Sequence, residues 1–264
     1  MAVCINCNQE VSTPFCSHCG QPNPPKKITF ANMWYDFQSR IYGFDGMFPR
    51  TFRDLTLRPG LVAKDYIRGN RIKYYGPVGY FFLMVTLFIL IMSILEINFS
   101  DYSAASQEAF GGTSSGNTTF EKELQTRTST FIGENMRIFS FAVVMPVVLM
   151  TWLFFRKSGY NSLQHAVISF YVFGHAYWMT ILSLFLFKVT GVSARITIQF
   201  IITILYFAFA CSNFYTHNSR TKAFFKGLGA FILGYLIFMI VVASLGIIYV
   251  LTDSEMQEMI RNQK

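Results

Sequence analysis

Charge is scarce in this chain of 264 residues: 14% are Asp, Glu, Lys or Arg, whereas 52% are hydrophobic. A soluble domain usually carries about 25% charged residues. With a mean hydropathy of +0.36, the composition excludes an ordinary soluble globule. Acids are the scarcer sign, 14 against 22 Lys and Arg, and no constellation of carboxylates suits intramembrane catalysis or ion coupling. A Walker lysine loop, a GxSxG elbow, an HExxH helix and a dinucleotide fingerprint are all missing from the sequence. The start, MAVCINCNQE, has no basic stretch followed by an apolar core, so no cleavable signal peptide is expected.

Cysteines are few, five in all, but four stand within the first nineteen residues as Cys4-x-x-Cys7 and Cys16-x-x-Cys19. Each turn brings two sulfurs to one side, and two such turns close a tetrahedral thiolate cage around one zinc ion. The segment is too small for a hydrophobic core, so the metal must supply most of its order. Four sulfurs leave no open coordination position, which makes the site structural, with His18 exposed and not a ligand. The same ligands also suit iron. Pro14 and Phe15 are expected to give the second knuckle a rigid lead-in and an apolar contact, and Gly20 its exit turn. Paired Cys-x-x-Cys motifs favour metal over disulfide in a reducing cytoplasm. Cys211, inside an apolar stretch, is read as an inert packing residue.

The knuckle is assigned to residues 1–21, followed by a proline-rich basic linker over 22–29 and an amphipathic basic juxtamembrane region over 30–76. Phe30, Met33, Trp34, Phe37 and Ile41 recur at helical steps. A second stripe follows at Phe48, Phe52 and Leu55, and a short helix is predicted from Pro59 to Arg68, closed by Gly69. Basic residues interleaved with aromatics ahead of a membrane span fit helices lying among lipid headgroups. The membrane accounts for the charges that would otherwise suggest nucleic acid.

Residues 77–264 read as five spans near Pro77–Asn98, Ile138–Phe155, Gln164–Phe187, Ile196–Thr216 and Phe225–Leu251, each close to the roughly 20 residues a bilayer requires. Residues 100–135, rich in Ser, Thr and Gly, read as a mostly flexible external loop, with a short helix from Phe120 at its end. Fifteen of the 22 cations lie before the first span or in the turns 156–163 and 217–226. Positive-inside therefore predicts a cytoplasmic N-terminus and an external C-terminus. The fold class is an all-α membrane protein with an N-terminal zinc ribbon, interfacial helices and five transmembrane helices.

Polar groups at bilayer depth are the remaining candidates. His175 sits near the middle of the third predicted span, with Tyr171 one turn before it, and is read first as a buried hydrogen bond to a neighbouring helix. Gln199, Thr203 and Tyr206 share one face of the fourth and read as interhelical glue. Together His175, Tyr171 and Gln199 are the candidate intramembrane polar site. The small-residue stripe Ala230-x-x-x-Gly234 predicts close helix packing.

The run from Thr56 to Pro77 resembles a bacterial membrane family defined as a domain of unknown function, DUF3667. The resemblance rests on Arg58-Pro59-Gly60, Tyr66, Gly69, Arg71, Tyr74 and Pro77, with Phe44-Asp45 upstream, and is read over residues 1–95 with the four-cysteine ribbon. It implies a zinc-ribbon protein of the bacterial inner membrane with no established activity. Five spans with the N-terminus inside also resemble, in topology alone, the Yip1-type membrane proteins. Tyr66 and Tyr74 are expected at the interface, and Arg58, Arg68, Arg71 and Lys73 are the candidate contacts to lipid phosphate or to a partner's acids. The combined expectation is a non-enzymatic scaffold that docks a cytosolic or membrane protein through its zinc site and contacts membrane lipids. The alternatives are a transport or lipid-handling component, or a membrane enzyme acting on lipid.

Overall fold

The cysteine pairs impose the local structure of the N-terminal unit. In the computed structural model, which describes residues 2–20, 22, 46–108, 119–190, 196–216, 219–252 and 257, two short strands, β1 (Ala2–Val3) and β2 (Glu10–Val11), pair antiparallel with Ala2 opposite Val11. Each Cys-x-x-Cys turn closes on itself: Asn8 N–H donates to the Cys4 carbonyl at 2.9 Å and Gly20 N–H to the Cys16 carbonyl at 2.8 Å. The residue after each second cysteine takes a left-handed conformation, Asn8 at φ 58° and Gly20 at φ 74°, which Asn and Gly tolerate best. The buried apolar content of this unit is Val11 packed among Cys4, Cys16 and Cys7. Phe15, expected to make the apolar contact, is exposed. The stripe at Phe30–Ile41 lies outside the described residues.

The second unit begins within α1 (Met47–Leu57), continues through α2 (Pro59–Ile67), and is otherwise built from long helices: α3 (Pro77–Ile94), α6 (Met136–Phe155), α7 (Ser162–Thr190), α8 (Ile196–Phe214) and α9 (Arg220–Thr252). All five predicted spans coincide with helices. Four of them, α3, α6, α7 and α9, are long and apolar enough to cross a membrane, whereas α8 is a shorter apolar helix. Prolines begin α2 and α3, and a proline lies inside α6.

The bundle is apolar both inside and out, and its interior also holds polar side chains. Ser140, Thr151, His165, Ser169, His175 and Ser183 are buried, while Leu236, Ile240, Val241, Leu245 and Ile248 of α9 face outward. A bundle in lipid gains nothing by hiding leucine and gains most by pairing its polar side chains and bringing small residues together. Ala230 is fully buried, and a Cβ on Gly234 would come within 2.6 Å of the Val147 Cα, so α9 and α6 meet backbone to backbone at the predicted stripe. Cys211 is fully buried against Gly227. Four long apolar helices and an apolar exterior mark a multi-pass membrane protein.

Two expectations are corrected. The stretch 100–135, read as a mostly flexible loop with a short helix from Phe120 at its end, carries that helix as α5 (Thr119–Glu134) and in addition an unexpected α4 (Phe99–Glu108). Phe99 packs on Gly133, and Tyr102 bonds to the Ser183 hydroxyl of α7 at 2.6 Å, contacts that composition does not disclose. Nor are the apolar residues of α1 and α2 all free to face lipid. Leu55, Val62 and Ala63 are fully buried, and α2 packs on α7 and α8.

Candidate functional site

The four sulfurs of Cys4, Cys7, Cys16 and Cys19 all lie within 4.8 Å of one another. Cys4 and Cys19 are 3.5 Å apart and Cys7 and Cys16 3.6 Å. A metal–sulfur bond of about 2.3 Å implies sulfurs about 3.8 Å apart at the corners of a tetrahedron. The cage therefore has the size of a four-thiolate metal centre, and the donor set fits a soft or borderline ion. His18 stands exposed outside the sulfur cluster.

The second candidate is built by α1, α2 and the turn that precedes α3. Thr51 and Asp54 lie one helical turn apart on the buried face of α1. Thr51 Oγ1 accepts from Tyr75 N–H at 2.9 Å, and Asp54 accepts from the Tyr74 hydroxyl at 3.0 Å. The Tyr75 carbonyl in turn accepts from the Tyr171 hydroxyl of α7 at 2.7 Å. Burial pushes the Asp54 carboxyl up, but hydrogen bonds from Arg53 and Tyr74 and the charges of Arg53 and Arg58 outweigh it and hold the group below the usual carboxylate range. Tyr74, expected at the interface, is buried by this pairing, and that burial pushes its phenol up.

His175 anchors α1 from the bundle side. Its Nδ1 pairs with the Tyr80 hydroxyl of α3 at 2.9 Å and its Nε2 with Thr56 Oγ1 of α1 at 3.1 Å. Phe52 packs edge-on against both His175 and Trp178, and the Tyr206 hydroxyl of α8 donates to the Leu55 carbonyl at 2.8 Å. The buried hydrogen bond expected of His175 is present, and the residue stands near the middle of its helix as expected. Helices α3 and α7 run parallel, Tyr80 beside His175 and Leu95 beside Lys188. His175 therefore lies level with the first turn of α3, because α7 extends well beyond the start of α3. Tyr171 belongs to this cluster. Gln199 does not; it bonds to Thr180, toward the other end of the bundle, and Thr203 bonds to the Gln199 carbonyl of its own helix at 2.9 Å. His165 forms a separate pair with the Tyr215 hydroxyl at 2.5 Å.

The basic candidates separate in the same way. Arg58 faces Asp54 at 3.8 Å, Lys73 pairs with Asp65 at 3.0 Å and stacks over the Tyr74 ring, and Arg71 lies over the Tyr66 ring. Arg68 caps α2 and is exposed. The sequence reading missed Thr51, Asp54, Thr56 and Tyr80. For Thr51 and Asp54 the available signal was their position on α1, at the same helical step as its apolar residues and so on the buried side.

No curated protein and no solved structure matches this chain, so the likeness to Yip1-type proteins gains no support. The DUF3667 resemblance, read over residues 1–95, is matched more narrowly, and the four-cysteine ribbon falls outside it. Residues 45–89, which carry α1, α2 and the part of α3 that pairs with His175, match the family described as a protein of unknown function, DUF3667.

Proposed function

We propose that this chain is a non-enzymatic protein of the bacterial inner membrane, crossing it five times, whose cytoplasmic four-cysteine knuckle holds zinc and docks a protein partner. The observation that carries the reading is the sulfur cluster itself: four thiol sulfurs mutually within 4.8 Å in a unit with almost no other core. A closed four-sulfur site has no position for water or substrate, so its role is to order the knuckle. Val3, Ile5 and Phe15 are exposed on this small unit and would be its apolar contacts to a partner. The distribution of Lys and Arg supports an inside N-terminus, and counting α8 as a span gives five crossings.

Cavities of about 450 and 370 Å³ involve α5: one is lined by Phe99, Ser103 and Leu124, the other by Arg127, Phe139 and Leu245. The test is metal analysis and crosslinking of the full-length protein from native membranes. One zinc per chain and a crosslinked partner are expected, both lost when Cys16 and Cys19 become Ser. Metal-free wild-type protein, or a partner retained by the double variant, refutes the reading. Reporter fusions at both ends check the topology.

A further inference from the structure

Most cations of the matched segment have a partner. Arg53 and Arg58 face Asp54, Lys73 pairs with Asp65, and Arg71 stacks on Tyr66. Lys64 differs. It is 8% exposed on the packed face of α2, and its Nζ donates to Thr216 Oγ1 at 3.0 Å, just past the end of α8. Among the described residues no carboxylate pairs with Lys64, Arg68 or Arg220. Arg68 follows Lys64 by one helical turn, and Arg220 opens α9. The charges of these two arginines act on Lys64 and, after its burial, push its pKa below the usual lysine range. A buried ammonium with a neutral hydroxyl as its hydrogen-bond partner and like charges as neighbours is costly.

We propose that Lys64, Arg68 and Arg220 form a binding site for a phosphate group at this end of the bundle. An ammonium with one arginine a helical turn along α2 and another four residues beyond its Thr216 partner supplies the donor types a phosphate accepts, in point and bidentate form. Arg220 is also the first residue of a helix of 33 residues, whose unpaired N–H groups favour an anion at the same place. The position suits a headgroup, since Thr216 and Arg220 bracket the turn between two apolar helices. The phosphate comes either from a phospholipid or from a soluble phosphate compound. The site belongs to the bundle and does not depend on the metal knuckle.

The experiment uses the full-length protein in mild detergent with phosphatidylglycerol, diacylglycerol lacking the phosphate, and inorganic phosphate as probes. Lipid retention is counted by native mass spectrometry, and thermal stability is followed in parallel. Wild type should retain phosphatidylglycerol over diacylglycerol, and Arg68→Gln/Arg220→Gln should lose that preference by about tenfold. Both arginines are exposed, so the variant should fold. Lys64→Gln should be at least as stable as wild type without added anion, yet gain nothing from phosphatidylglycerol. Stabilisation of wild type alone by inorganic phosphate assigns the site to a soluble compound instead. Arg156→Gln/Lys157→Gln, on the exposed turn after α6, should keep wild-type binding. Equal losses in the two double variants, or no difference between wild type and Arg68→Gln/Arg220→Gln with either phosphate probe, would overturn the proposal.

Discussion

Gly60 stands where α2 meets the end of α8, and replacing it with alanine tests whether the matched segment is docked as described. A Cβ built on Gly60 would lie 2.6 Å from the Asn213 carbonyl carbon, 2.6 Å from the Phe214 nitrogen and 2.7 Å from the Asn213 Cβ. Non-bonded carbons prefer about 3.5–4.0 Å. Two of the opposing atoms are backbone, so no rotamer change relieves the clash and the helices must separate by about 1 Å. Overpacking of this kind costs about 1–3 kcal/mol. For a chain of this size that corresponds to a fall in melting temperature of about 2–12 °C. The control is Gly246→Ala in α9, where the new Cβ has no atom within 4 Å. That change should leave stability unchanged or raise it by about 0.5–1 kcal/mol through the better helix propensity of alanine. Thermal unfolding of both variants in detergent supplies the comparison. A cysteine at Val62, which is fully buried, supplies a local probe. Maleimide should label it faster in the Gly60→Ala background as α2 lifts from α8. If the two glycine variants melt alike and labelling at 62 does not change, the docking of α2 on α8 is wrong.

Gly20→Val places a β-branched residue at φ 74°, a conformation that costs an L-residue about 1–2 kcal/mol. Metal retention against a chelator should fall about tenfold, whereas Asn8→Gly should keep it. Asp54→Asn should destabilise the bundle by about 1 kcal/mol at neutral pH. Because the Asp54 carboxyl is held low in the fold, its stabilisation is present above the unfolded value near 3.9 and is lost as pH falls through the folded value. The wild-type and Asp54→Asn melting temperatures should therefore converge in acid, and a gap that stays constant with pH refutes the pairing. Tyr80→Phe leaves the buried Nδ1 of His175 without its partner and should cost about 1–3 kcal/mol. Tyr249→Phe, at an exposed site on α9, should cost nothing measurable in the same unfolding assay.

The sulfur cluster was legible because it is local. Two Cys-x-x-Cys turns fifteen residues apart at their outer cysteines meet across a single hairpin, so spacing and sulfur chemistry suffice. The long helices were legible for a related reason: a run of apolar residues long enough for a bilayer has few other uses, and Pro59, Pro77 and Gly69 punctuate its approach. The amphipathic stripe at Phe48, Phe52 and Leu55 predicted a helix correctly. Periodicity identifies a buried face without naming the surface that covers it, so Phe52 and Leu55 were assigned to lipid instead of to α7 and α8. Helix α4 was missed because the Ser, Thr and Gly content of residues 100–135 outweighed anchors such as Tyr102, whose partner Ser183 is far along the chain.

From the sequence alone came the sulfur cage, the positions of the helices and the bias of positive charge, since each depends on residues close together in the chain or on simple counts. The tertiary structure decided which polar groups meet: Asp54 with Tyr74, Thr56 and Tyr80 with His175, Lys64 with Thr216. Those pairings join segments that only packing brings together, and a hydrogen bond depends on distance and direction in space, which a linear pattern does not encode.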